Sequence, residues 1–321
     1  MLAACAAESV PLSAHENWRW QTPIRELKKV LHSGVIGPVF RARMDYCNSF
    51  PVFDNQPFLK TLEEFILADM GSHIFDVARF LFGEAARLYC QTHQITPGIM
   101  GEDAASAMLR MQSGATVTVN LSYASRVEHD RFPETFIHVE GELGSAELAP
   151  DYWLRITTGR GFETRRCPPL AYAWADPRYA LVHSSIVACQ RDLLNALQSN
   201  TAPETSAADN LKTLKLAQAA YDSTRGNCAV EIFCLTNYEL RTNENHHSRR
   251  GRRQNGLPSD RQLSQDPLQG SLSRSLAEGT GELGAEREGV PRFLRHLLRR
   301  RLQDQQARQA GAVQGRLAED F

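Results

Sequence analysis

The chain has 321 residues and a formal net charge of −1, from 36 Lys and Arg against 37 Asp and Glu, so no global field draws it toward nucleic acid or an anionic membrane. Its 42 % hydrophobic content is enough for a core spread over about two domains, yet no apolar run approaches the ~20 residues that span a bilayer. Seven cysteines, an odd number with no C-x-x-C pair, point to reduced thiols in a cytoplasmic protein and away from a disulfide framework or a zinc knuckle.

The opening "MLAAC" has neither a basic region nor an apolar stretch before Cys5 and does not read as a leader. "LAACAAESVPLSAHEN" reads instead as the end of a helix, a short connection and a strand, as if entering a fold midway. "TPIRELKKVLHSGVIG" is a punctuated helix: Thr22 at the cap, Pro23 in the first turn, Ile24, Leu27, Val30 and Leu31 on one face, and Gly34 as the stop. "PVFRARMDYC" alternates, with Phe40, Ala42, Met44 and Tyr46 toward a core and Arg41, Arg43 and Asp45 away from it.

"LADMGSHIFDVARFLFGE" follows and is expected to be one helix ending at Gly83. Ile74, Val77, Ala78 and Leu81 make its buried face, while Asp69, His73 and Asp76 line up on another at i, i+4 and i+7, with Phe80 next. Short strand patterns come after it: "RLYCQTH", "DAASAMLRMQ", "TVTVNLSYAS", "ETFIHVEG", "SAELAP", "YWLRITT" and "GFETRRC". In the third, Val117, Val119, Leu121 and Tyr123 point inward. Strands this close together are joined by hairpins, so the sheet is expected to be mainly antiparallel. Two helices, "LVHSSIVACQRDLLNALQSN" and "SAADNLKTLKLAQAAYDSTRG", and a strand "AVEIFCL" close the segment. The expected fold class is α+β: a large, mainly antiparallel sheet with helices on one face.

Beyond about residue 235 lysine disappears and Arg, Gln, Gly, Ser and Leu dominate. This composition buries too little to offset its ordering entropy, apart from a basic stripe that predicts a helix over 291–309. His246 and His247 fall in this polar stretch and are expected to be solvated. No metal site is expected from Asp69, His73 and Asp76, because no Cys or His pairs at ligand spacing support one.

The order of elements, with "HENWRWQ", "GVIGPV", "DMGSHIFDVARFLFGE", "GEDAASAMLRMQSGATVTV" and "VEGELGSAEL", resembles the C-terminal domain of the glucose–fructose oxidoreductase / inositol dehydrogenase family (Gfo/Idh/MocA) from about residue 3 to about 233. The D-x-x-x-H…D pattern of Asp69, His73 and Asp76 is its most specific piece, and "ENWRW" matches the family's Asn-x-Arg-aromatic segment. The resemblance implies NAD or NADP as cofactor and a sugar, polyol or related hydroxyl compound as substrate. It places His73 on the reacting hydroxyl and Asp69 on the substrate or the imidazole, with Asn17 and Arg19 near nicotinamide and substrate and Asp76 as a brace. It also implies a Rossmann domain with a G-x-G-x-x-G after its first strand and a later E-K-P lysine. Neither motif precedes the matched segment, so no cofactor-binding residue is identified. The expected organisation is therefore 1–20 as a remnant of the dinucleotide-binding domain, 21–235 as an α+β substrate and oligomerisation domain, and 236–321 as a low-complexity tail. Without the nucleotide half, the chain is expected not to hold the cofactor alone, and a non-catalytic or dimerising remnant is the alternative. Trp18 and Trp20 are expected to pack between domains. The aromatic loop "PLAYAWADPRYALVH" offers Tyr172, Trp174 and Tyr179 as substrate contacts, with packing beneath the loop as the alternative.

Overall fold

A computed structural model describes residues 1–127 and 132–232. The 236–321 segment, with its expected helix and His246 and His247, lies outside the described residues.

Alternating apolar residues build a nine-stranded sheet: β1 (Val39–Cys47), β2 (Ala85–His93), β3 (Ala104–Met111), β4 (Thr116–Ser122), β5 (Phe136–Gly141), β6 (Gly144–Ala149), β7 (Trp153–Thr158), β8 (Gly161–Arg166) and β9 (Val230–Glu231). The spatial order is β8-β7-β6-β5-β1-β4-β3-β2-β9. Pairing is antiparallel except between β1 and β4, which run parallel, Ala42 beside Val117 and Tyr46 beside Leu121. Among the described residues six α-helices accompany it: α1 (Leu2–Ala7), α2 (Thr22–His32), the single turn α3 (Val52–Asn55), α4 (Ser72–Phe82), α5 (Ala180–Ser199) and α6 (Ala207–Gly226).

Met44, Tyr46, Val117, Val119, Leu121, Ile137, Val139, Leu88 and Leu109 are buried on one sheet face. They join Ile24 and Leu27 of α2, Ile74, Phe75 and Val77 of α4, and Leu216 and Ala220 of α6 in one core. The alternate residues carry charge on the other face. Arg41 pairs with Glu140, Arg43 with Asp45, and Arg155 with Glu147, and Asn120 donates to Asp45 at 2.8 Å. The antiparallel sheet thus has one dry and one wet face, as its period-two sequence dictates. At the "EGELGS" turn, Gly141 and Gly144 face each other. A Cβ on Gly141 would lie 2.2 Å from the Ile36 carbonyl oxygen, so only glycine lets this hairpin press against the loop after α2.

Four local expectations change. Thr22 does not cap α2 but is its first residue, after Gln21, and no side chain caps that end. Phe40 is 49 % exposed, because the β1–β5 register shifts between Val39 and Arg41 and the extra residue of that bulge drops out of the alternation. The expected strand before Asn17 reduces to one bridge, Ser13 with Ser206; no neighbouring strand among the described residues offers it a ladder. The 67–84 helix is two pieces, a π-helical turn over Leu67–Gly71 followed by α4, which stops at Gly83 with φ 89°. The wide turn has an identifiable anchor. Buried Glu102 accepts from the backbone N–H groups of Phe65 (3.2 Å) and Leu67 (3.1 Å). Tyr221 of α6 donates to Glu102 at 2.8 Å and accepts from the Ala68 N–H at 3.0 Å. Burial lifts the Glu102 carboxyl above its ordinary range, against these donors.

Tyr221→Phe removes one hydroxyl that serves both Glu102 and Ala68. We expect it to cost about 1–3 kcal/mol, the usual loss for a buried group left unsatisfied, in a urea unfolding transition. An unchanged midpoint would mean that this anchor does not hold the π turn.

Candidate active site

The site is assembled where α4 meets the segment 13–20, which ends in a 3-10 turn at Trp18–Trp20. The turn sends the side chains of residues 16–19 in two directions. Glu16 and Trp18 turn toward His73: the His73 Nδ1 donates to Glu16 Oε1, and the Trp18 indole stacks on the imidazole with centroids 4.6 Å apart and planes at 21°. Asn17 and Arg19 turn elsewhere. Asn17 Nδ2 donates to Ser185 of α5 at 2.7 Å. Arg19 makes a two-pronged pair with Asp76, Nε to Oδ2 at 2.6 Å and Nη2 to Oδ1.

That pair is the centre of a buried ionic cluster, with the Arg19 side chain 6 % exposed and Asp76 at 0 %. Thr213 of α6 donates to Asp76 at 3.1 Å and accepts from Arg79 at 2.7 Å. Asp209, in the first turn of α6, accepts from both Arg19 (2.9 Å) and Arg79 (2.8 Å). Burial opposes ionisation of Arg19, but Asp76 and Asp209 outweigh it and raise its pKa. Burial, with Glu16 adding to it, pushes Asp76 up to about 6 against the pull of Arg19 and Arg79, whose guanidinium groups favour the carboxylate. Outside this core, the Arg25 guanidinium lies 3.7 Å over Trp20 and 4.7 Å over Phe80.

Asp69 sits in the π turn, out of phase with α4. Its Oδ2 accepts from Tyr123 at 3.2 Å, and burial raises its pKa against the opposing influence of His73 and Tyr123. Burial disfavours the His73 cation, but Glu16, with Asp69 and Asp76 behind it, outweighs burial and lifts the imidazole above its ordinary value. The His73 side chain remains 25 % exposed. Among the described residues none hydrogen-bonds its Nε2, so a proton-accepting or proton-donating nitrogen is presented outward from a carboxylate-backed ring.

Tyr172, Trp174 and Tyr179 form a separate aromatic row. Tyr172 stacks on Trp174 at 5.2 Å, and Trp174 and Tyr179 both lie against His183 of α5. The row joins the His73 cluster through α5, whose Ser185 holds Asn17. Asn17 and Arg19, expected beside nicotinamide and substrate, are held within the protein, Asn17 through Nδ2 on Ser185 and Arg19 on Asp76 and Asp209. Sequence reading missed Glu16 and Tyr123 as polar members of the site. The signal for Glu16 was its alternation with Trp18, opposite Asn17 and Arg19; nothing in the spacing marked Tyr123 as a partner of Asp69. The literal G-x-G-x-x-G spacing does occur once, at Gly279, Gly281 and Gly284. No strand pattern precedes it, as a dinucleotide turn requires, and it lies outside the described residues.

Sheet, helices and site together define the C-terminal α+β fold of the Gfo/Idh/MocA oxidoreductases. The GFO/IDH/MocA C-terminal domain model matches residues 24–147. The chain is 41 % identical over 235 residues to a D-apiose dehydrogenase of Paraburkholderia graminis, covering 73 % of this chain and 63 % of that protein. It is 40 % identical over 232 residues to a D-apiose dehydrogenase of Rhizobium rhizogenes, covering 72 % and 67 %. An oxidoreductase from Agrobacterium radiobacter, crystallised with NAD+, L-tartaric acid and magnesium, superposes with a TM-score of 0.71 at 39 % identity, over 72 % of this chain and 68 % of that one. A levoglucosan dehydrogenase in complex with NADH and levoglucosan shares the fold at 18 % identity, with a TM-score of 0.59 over 70 % and 66 % of the two chains. The chain belongs to the Gfo/Idh/MocA family. It spans 63 % of the length of the Paraburkholderia relative.

Two outcomes follow from the charges. Arg19→Ala removes the bidentate partner that holds Asp76 ionised, so the buried carboxyl is left to take up a proton or remain an unpaired charge, and the change should cost about 3–5 kcal/mol in chemical denaturation; Arg19→Lys should recover only part, because an ammonium cannot match the fork. A loss below 1 kcal/mol would show that the pair is not what seats residues 16–19. For His73 the folded pKa lies above the unfolded value of 6.5. Its stabilising contribution is therefore complete below pH 6.5 and lost as pH rises through the folded pKa. Unfolding free energy measured across that window should fall in the unaltered chain and fall less in His73→Gln; equal slopes would contradict the shift.

Proposed function

We propose that this chain is the sugar-binding, proton-moving part of an NAD(P)-dependent dehydrogenase acting on the CH–OH group of a sugar, polyol or related compound. The observation that carries the proposal is the His73 imidazole, backed by Glu16 at Nδ1 and open at Nε2; the D-apiose dehydrogenases among its relatives support a sugar as substrate. When bound, a nicotinamide supplies the acceptor for hydride. No glycine-rich turn between strand and helix occurs among the described residues, and the segment before Glu16 forms a single bridge rather than a Rossmann strand. The described residues do not fit a dinucleotide.

What these residues do is move a proton. In the oxidative direction the substrate hydroxyl donates to His73 Nε2; the O–H bond breaks, an N–H bond forms, and the imidazolium is held by Glu16. In the reductive direction the same proton returns to the carbonyl oxygen. A histidine is suited to both because its pKa lies near the working pH. Asp69, hydrogen-bonded to Tyr123 and close enough to His73 to influence its titration, is the second proposed substrate-facing group. Tyr172, Trp174 and Tyr179 are proposed to border the sugar side.

The lack of a pyrophosphate turn among the described residues supports a second reading, a folded domain that binds or self-associates without nucleotide. Its wet sheet face, crossed by the Arg41–Glu140, Arg43–Asp45 and Glu147–Arg155 pairs, is the surface proposed for a homo-oligomer. A cytoplasmic setting is supported by the six described cysteines, all free. No helix among the described residues is long and apolar enough to cross a membrane.

Calorimetric titration with D-apiose and other aldoses should show saturable binding, weakened about tenfold in His73→Ala, the loss expected for one buried polar contact. NAD(P)H fluorescence should show no binding by the chain at micromolar cofactor. Failure to bind any sugar or polyol removes the dehydrogenase reading; clear cofactor saturation removes the reading that the described residues do not fit a dinucleotide.

A further inference from the structure

We propose that Glu16, and not Asp69, is the positioning carboxylate of the site, fixing His73 in the form that keeps Nε2 as the reacting nitrogen. The inference deepens the dehydrogenase reading and rests on it for its catalytic meaning, though its geometry stands alone. On a regular helix, Asp69 and His73 at i and i+4 would be expected to serve each other. The π turn breaks that phase: Asp69 takes the Tyr123 hydroxyl at 3.2 Å, and the Nδ1 contact of His73 goes to Glu16, contributed from 57 residues earlier in the chain.

Three features make Glu16 a fixed support. It is 5 % exposed. Its neighbour Trp18 lies flat on the imidazole and edge-on to Tyr46 at 6.3 Å, so the ring has little freedom to flip. Arg19, three residues on, is clamped by Asp76 and Asp209. The charged groups acting on His73 are Glu16 from the 13–20 segment, Asp69 from the π turn and Asp76 from α4. Of these, Glu16 alone hydrogen-bonds the ring.

The chemical consequence is directional. A carboxylate at Nδ1 holds that proton in place, so the neutral ring accepts only through Nε2. It also favours the imidazolium, so His73 is a ready proton donor below its raised pKa and a base above it. In an active form, sugar oxidation should therefore rise with pH through the His73 titration, and carbonyl reduction should fall.

The test is NMR titration of the full chain labelled with ¹⁵N at histidine, with His73→Gln used to assign the signal. Above its titration, the unaltered chain should show His73 with the proton on Nδ1. In Glu16→Gln the titration midpoint should fall by roughly one pH unit, a tenfold loss of proton affinity and the low end of what an adjacent opposite charge provides. Asp69→Asn should lower the midpoint less and leave the tautomer unchanged. Glu16→Asp, which keeps the charge at longer reach, should move the midpoint in the same direction by a smaller amount, and it carries the test if Glu16→Gln does not fold. A proton on Nε2 in the unaltered chain, or a larger shift in Asp69→Asn than at Glu16, overturns the proposal. The titration needs neither sugar nor dinucleotide, so its failure is distinct from a failure of sugar binding.

Discussion

The bidentate pair between Arg19 and Asp76 is the constraint on which the site depends. Two ions this deeply buried are costly to desolvate, and their attraction offsets that cost only with good geometry and further hydrogen bonds. Here Thr213, Arg79 and Asp209 supply them, tying the 13–20 segment, α4 and α6 together. The pair has little value as a source of net stability compared with apolar packing. Its value is placement, since a fork between planar guanidinium and carboxylate allows few orientations. Once Arg19 is seated, the 3-10 turn at Trp18–Trp20 and the residues leading into it hold Trp18 and Glu16 against His73.

The sheet fixes where that cluster lies. In an antiparallel ladder, neighbouring strands end at opposite edges. The parallel pairing of β1 with β4 brings two strand C-termini to one edge, and there Tyr46 and Tyr123 meet edge to face at 6.0 Å. Phe65 stacks on Tyr123 at 5.8 Å and leads directly into the π turn. An aromatic shelf thus underlies Asp69 and His73, and the chain leaving β1 crosses over as the helix that carries both. Carboxyl ends of parallel strands are where open α/β sheets place ligands; one parallel pair inside an otherwise antiparallel sheet reproduces that geometry locally.

Much of this was legible in the sequence, for a physical reason. The face of α2, the inward side of β4 and the buried stripe Ile74, Val77, Ala78, Leu81 follow from periodicity, because burial acts on every turn or every second residue. The ridge of Asp69, His73 and Asp76 was visible for the same reason, but its meaning was not. Asp76 turned out to serve Arg19, and Asp69 to serve Tyr123. Those partners lie 57 and 54 residues away in sequence, and local spacing carries no information about them. The π turn is likewise set from afar, by Glu102 and by Tyr221, 153 residues from Ala68. Phe40 was misplaced because a single bulge reverses the alternation on which the reading relied.

The π turn also explains how one short ridge carries two carboxylates and an imidazole without mutual frustration. On a continuous α-helix, Asp69 and Asp76 would flank His73 on one line, with Glu16 brought in as a third carboxylate. Packing like charges into one half-buried space raises their pKa values and invites protonation. Widening the turn moves Asp69 aside to Tyr123, while Arg19 and Arg79 neutralise Asp76. Glu16 then meets His73 as its nearest counter-charge. The irregular turn, the aromatic shelf and the ionic clamp each remove one competing interaction, and the carboxylate–imidazole pair with an outward Nε2 is the arrangement that remains.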